Sequence, residues 1–192
     1  SDDGTVEILW NSSAYLSTRH GLDGVDEQLG SVDMALGSIA SAAAGNGDGV
    51  EPTVGPDASE GAGLVTQDAP GTAREAADRL TAAIEANPDL ILVSEIDHGA
   101  NAADAGLDLT PIIEVIFGNP KLGTPLMQAS RTVGMDLPQK MLFVETADGV
   151  SITYNDPAYL AQRHGIDAAT PELATATGAL EKLSGAAAGD GG

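Results

Sequence analysis

The chain has 192 residues, 29 of them acidic and 8 basic, which gives a net charge of −21 and a pI near 4.1. That charge repels phosphate backbones and anionic lipid headgroups, so nucleic acid and membrane surfaces are poor partners. No apolar run approaches the roughly 20 residues a spanning helix needs, and the absence of cysteine excludes disulfides and thiolate chemistry.

In chain order, VEILW from Val6 reads as a strand. A turn at Asn11-Ser12-Ser13 leads into a short helix ending at His20-Gly21, and a longer helix follows. SAAAGNGDGVEPTVGPDASEGAG has no apolar periodicity and reads as a flexible acidic Gly/Pro linker over 46–62. LVTQ is a short strand. TAREAADRLTAAIEAN is an amphipathic helix with Ala76, Leu80, Ala83 and Ile84 on one face. LILVSEI is a strand, HGANAADAG a short helix closed by Gly106, and IIEVIFG a buried strand. A glycine-bearing loop from Gly118 to Gly123 then precedes a helix opened by Thr124-Pro125. KMLFVETADGVSITYN is a hairpin turning at Asp148-Gly149. Asp156-Pro157 opens a helix that Gly165 closes, and Thr170-Pro171 opens the last one.

One phrase occurs twice. With an offset of 144, residues 6–23 and 150–167 agree at 10 of 18 positions, among them Asn11, Tyr15, Arg19, His20 and Gly21. The sequence therefore divides into a partial repeat (1–45), the linker (46–62), a complete module (63–184) and a disordered tail (185–192). The first copy corresponds to the last third of a module. Either a half-module precedes it, or the fragment docks on the complete module or on a second chain, because an isolated strand and two helices bury little apolar surface.

DHGANAADAGLDLTP, IFGNPKLGTPLMQA, MDLPQKMLFVE and SITYNDPAYLAQRHG occur in this order. On these four motifs, residues from about 63 to 167 resemble the family called domain of unknown function 302. The resemblance implies an α+β fold, an antiparallel sheet carrying helices, often as a homodimer. It implies no established activity, and any cofactor is unknown, so the chemistry rests on the residues.

The 118–124 segment is the first candidate site. Glycines allow close backbone approach, and a helix N-terminus offers unpaired N–H groups to an anion. Lys121 adds a full charge there. Gly118 and Gly123 have the spacing of a phosphate loop, but Pro125 follows Thr124 where that loop needs Lys-Ser/Thr, which excludes a nucleotide-hydrolase site. From Thr110 to Glu145, acids (Glu114, Asp136, Glu145) and bases (Lys121, Arg131, Lys140) balance, while the rest of the chain has 26 acids against 5 bases. The plain alternative is that this window is core and its lysines pair with carboxylates.

His98 stands where a strand meets a helix, with Asn101 one turn on, and is the candidate general acid or base. Asp97, adjacent in a strand, points to the other face and gives no His–Asp pair. His20 and His164 precede helix-ending glycines, where the helix dipole favours a cationic imidazole. Tyr154 and Asn155 lie at the end of the last strand, and Asp156 caps the next helix. Nothing has the spacing of a metal site.

Three readings follow. The first is a module binding an anionic small molecule through Gly118, Asn119, Lys121, Gly123 and Thr124, with Asn101, Tyr154 and Asn155 shaping the rest. The second is an enzyme with His98 as acid or base and Lys121 stabilising a developing anion. The third is a dimeric interaction protein without a ligand. Strong acidity with only three lysines is the balance of a halophilic protein, whose self-repulsion molar salt screens. The acidic start, SDDGTVE, is unlike a secretory leader, and cytoplasmic is the expected location.

Overall fold

A computed structural model describes residues 8–45, 59 and 61–190. The chain divides into two compact units, 1–62 and 63–192. In the first, helix α1 spans Ser13–His20 and helix α2 spans Asp26–Ala44. Ser12 caps α1 by accepting from the Tyr15 N–H at 3.2 Å, and Gly21 closes it in the left-handed region. The Ser13 N–H and hydroxyl both donate to the Asp33 carboxylate, which ties the two helices together. Arg19 is buried, donates from Nε to the Ala62 carbonyl at 3.0 Å, and holds its guanidinium 5.9 Å from the Tyr15 ring centre. Ile8, Leu9 and Trp10 form no strand, and Val6 and Glu7 lie outside the described residues. The physical reason is pairing: the matching segment in the second unit is a central strand with a neighbour on each side, and an extended segment without such neighbours has no ladder to join. The 46–62 linker falls almost wholly outside the described residues.

The second unit is an α+β module. Its strands are β1 (Leu64–Ala69), β2 (Ile91–Asp97), β3 (Ile112–Gly118), β4 (Gln139–Thr146) and β5 (Gly149–Asn155). They form one antiparallel sheet in the order β1-β5-β4-β3-β2. The helices are α3 (Ala73–Glu85), α4 (His98–Asp104), α5 (Pro120–Ala129), α6 (Pro157–His164) and α7 (Pro171–Ala188), with a 3-10 turn at Arg131–Met135. Alternation decides which face is buried. Ile113, Val115 and Phe117 of β3 point inward with Met141 and Phe143 of β4 and Val150, Ile152 and Tyr154 of β5. They meet Leu80 and Ile84 of α3 and Leu180 and Leu183 of α7 in one core. Ala73, Ala76 and Ala77 are fully buried, and side chains this small let α3 lie close to the sheet. A capping box, Thr72 with Glu75, starts α3.

The hairpin between β4 and β5 turns at Ala147-Asp148, one residue before the position expected from Asp148-Gly149. Gly149 opens β5 at φ 142°, and a Cβ there would stand 2.3 Å from the Ala69 carbonyl oxygen, so only glycine fits. Two expectations need correction. Residues 185–188 are helical rather than disordered: α7 runs to Ala188, with Ser184, Ala187 and Ala188 buried. The 118–124 segment is not a loop either, because α5 begins at Pro120, with Asn119 accepting the Lys121 N–H at 2.9 Å as its cap. Asn119-Pro120 carries the same cap-plus-proline signature as Thr124-Pro125, and the earlier pair wins. Pro125 sits inside the helix.

Candidate functional site: an apolar pocket beside helix α5

Strand β3 ends at Gly118 and the chain turns through Asn119 into α5, which packs on α7. Between these helices and the end of the sheet lies a pocket of about 330 Å³. Its sheet wall is Leu90, Ile91, Val93 and Phe117. Its α5 wall is Leu122, Leu126 and Met127, and α7 contributes Ala176, Leu180 and Leu183. Leu137 and Pro138, leading into β4, close the floor. No charged residue lines it among the described residues, in a chain with 29 acids. The polar side chains in the walls are Asn119, Thr124 and Gln139. Asn119 is committed to capping α5, and Thr124 is exposed. Gln139 pairs with Phe117 across the sheet and so points to the helix side, and its Oε1 is buried without a hydrogen-bond partner among the described residues.

A second cluster lies beside the pocket, behind Leu126 and Leu137. Asp136 follows the 3-10 turn with its side chain only 6% exposed. Arg163 Nη1 donates to both its oxygens, at 3.1 and 2.9 Å, and His164 Nε2 lies 2.7 Å from Oδ2. His164 Nδ1 stands 2.9 Å from the Thr132 hydroxyl, which in turn is 3.1 Å from that of Ser130. One carboxylate thus answers an arginine and a histidine from α6. The link between His164 and Asp136 spans 28 positions, and no local motif announces it. Its signal was the adjacency of Arg163 and His164 at the end of α6, which the helix dipole explained too readily.

The expected site residues separate. Gly118, Asn119, Gly123 and Thr124 line the pocket. Lys121 does not: its side chain is 78% exposed and pairs with Asp89 at 2.6 Å. That is the plain alternative the sequence allowed for this lysine. Asn101 is exposed on α4, away from the pocket walls. Tyr154 is buried in the sheet core, where burial raises its hydroxyl pKa, with Glu181 and Asp156 adding to the effect. Asn155 ends β5, paired across to Leu64. His98 begins α4 half-buried, while Asp97 caps that helix by accepting the Ala100 N–H at 2.8 Å. Neither His98 nor Lys121 lines the pocket.

Fold and pocket together define a class: a small α+β module with a five-stranded antiparallel sheet, helices packed on it and an apolar cavity at one end. Residues 65–188 match the family described as Domain of unknown function DUF302, and the chain belongs to it. A crystal structure of an uncharacterized conserved DUF302 protein from Bacillus stearothermophilus shares the fold, with TM-score 0.53 and 19% identity over 67% of this chain and 97% of that one. Two proteins named Fluoride-specific ion channel FluC 1, from Brucella suis and Brucella abortus, are each 43% identical over 133 residues. The match takes in 67% of this chain and 51% and 48% of theirs, so the chain spans about half the length of these relatives. Among the described residues no helix is long and apolar enough to cross a membrane.

Proposed function

We propose that residues 63–188 form a small-ligand-binding module and that the ligand sits in the apolar pocket between α5, α7 and the end of the sheet. The observation that carries this is an uncharged cavity of about 330 Å³ in so heavily charged a chain. Apolar concavities with a few polar groups are where small molecules bind. A dry cavity of roughly 150 Å³ holds a benzene, so this one has room for a two-ring aromatic or a comparable aliphatic group.

The geometry favours this over an anion at Gly118–Thr124. Lys121 is committed to Asp89 outside the walls, and a buried anion would find no countercharge. An enzyme built on His98 and Lys121 gains no support, since neither residue reaches the cavity. The Brucella relatives add a context. We read the half they share with this chain as a ligand-binding part distinct from their pore, because no helix described here could span a bilayer.

Blocking the cavity tests the proposal. A Cβ on Gly123 would lie 3.8 Å from Leu137 Cδ1 and 4.0 Å from Met127 Cε, both ordinary contacts between two walls of the pocket. Gly123→Leu therefore fills the cavity from a helical position where glycine is a poor helix former. Titration calorimetry with 2-naphthol in molar KCl should show saturable binding to the wild type and none to Gly123→Leu. Equal binding to both, or none to the wild type, overturns the proposal.

A further inference from the structure

We infer that residues 6–45 are a docking surface for a half-module of the same family, a polypeptide equivalent to residues 63–147 that supplies strands like β1 to β4 and the helices between them. The internal repeat carries this, independently of the pocket. With the offset of 144, α1 corresponds to α6 and α2 to α7, so the second unit displays what each position of the first is shaped to meet. Exposure separates the copies position by position. Leu22 is 39% exposed where Ile166 is 7%, Val32 is 44% where Ala176 is 9%, and Ile39 is 65% where Leu183 is 9%. Of α2, Ala40 and Ser41 alone are buried among the described residues.

In the second unit the cover comes from elements ahead of β5. Leu180 and Leu183 share a core with Leu80 and Ile84 of α3 and Phe117 of β3. Ile166 and Leu173 cluster with Leu126 of α5, Val133 of the 3-10 turn and Leu137. His164 shows the same dependence: its Nε2 meets Asp136, just before β4, whereas its counterpart His20 is exposed. Ile8 and Trp10 stand where Ile152 and Tyr154 stand, in a strand flanked by β1 and β4. An apolar helix stripe gains stability only when covered, and an extended segment gains a ladder only beside neighbours. A membrane or a lone amphipathic helix would cover the stripe and leave the other two features unanswered. A half-module answers all three at once, with a sheet edge for residues 6–11, an apolar core for α2 and a carboxylate for His20.

Joining residues 63–149 directly ahead of Val6, in place of residues 1–5, puts a half-module where the hairpin puts it in the second unit. Hydrogen exchange read by mass spectrometry in molar KCl then compares α2 with α7, in the parent chain and in the extended one. In the parent, α2 amides should exchange faster than those of α7, since a helix without cover opens locally. In the extended chain they should slow by at least about tenfold, toward the α7 rate. Ile39→Asp should leave exchange in the parent unchanged and return α2 of the extended chain to the fast rate, and Leu22→Asp is a second such variant. No slowing in the extended chain, or slowing that survives both substitutions, overturns the inference. So does an α2 already as protected as α7 in the parent. Protection independent of concentration would then mean cover from within the chain, and protection rising with concentration would mean cover by a second copy.

Discussion

Asp136 answers two α6 side chains with one carboxylate while almost out of solvent, and its loss takes that partner from both. Removing one partner of a buried pair leaves an uncompensated charge, which costs about 3 kcal/mol or more. Asp136→Asn should therefore lower the stability read from urea denaturation by that amount, with an unchanged slope, while Lys121→Ala should be close to neutral. The difference between the two acidic partners is burial: Asp136 is 6% exposed and Asp89 is 52% exposed. Exposed pairs are worth little. At this scale the sequence was legible wherever the signal was local. Asp156 caps α6, and Gly21 and Gly165 end their helices in the left-handed region, as their positions suggested. The link between Asp136 and His164 was not legible, since it depends on how two distant segments pack. Gln139 likewise looked like an ordinary strand residue, because an unmet hydrogen bond leaves no mark on the sequence.

Elements show the same division. The apolar run in Ile112–Gly118, the hairpin signature and the alternation from Val150 to Tyr154 marked three central strands. The start of α5 was misplaced by five residues, Thr124-Pro125 for Asn119-Pro120, because two proline-opened signatures lie close together. The pocket itself was visible only at its rim, in Gly118, Asn119, Gly123 and Thr124, since its walls come from β2, β3, α5, α7 and the segment before β4. Helices α2 and α7 carry one apolar stripe: Leu29, Leu36 and Ile39 stand where Leu173, Leu180 and Leu183 stand, 144 residues on. Burial separates them. Leu180 is 2% exposed against the sheet and α3, whereas Ile39 is 65% exposed. Leu180→Ala should cost about 2–5 kcal/mol in chemical denaturation, and Ile39→Ala within about 0.5 kcal/mol of nothing. A large loss from Ile39→Ala would mean that the α2 stripe is covered in solution.

For the molecule as a whole, charge outweighs every local feature. At −21 the chain repels itself, and the Debye length falls from about 10 Å at 0.1 M salt to about 3 Å at 1 M. The thermal midpoint should rise steeply between these concentrations and then level off once neighbouring carboxylates no longer sense one another. A midpoint indifferent to KCl would remove the case for a protein adapted to molar salt. The pocket should respond differently from the surface, since no charged group lines it and its walls are hydrocarbon. Salt that screens the surface leaves such a ligand's contacts unscreened and strengthens apolar burial only to the extent that the salt is excluded from the protein surface.

Strand β2 lies at the edge of the sheet, joined to β3 on one side, with its register shifting between Leu92 and Ser94. Ile91 and Val93 are more than half exposed yet form one wall of the cavity. That wall is therefore the most weakly tethered part of the site. Opening it requires peeling only a few residues from one neighbour, a local event that leaves the central ladder and the core intact. On the proposed function, no dedicated lid would be needed: the edge strand would be the door, and its fraying would set how fast a guest enters and how long it stays.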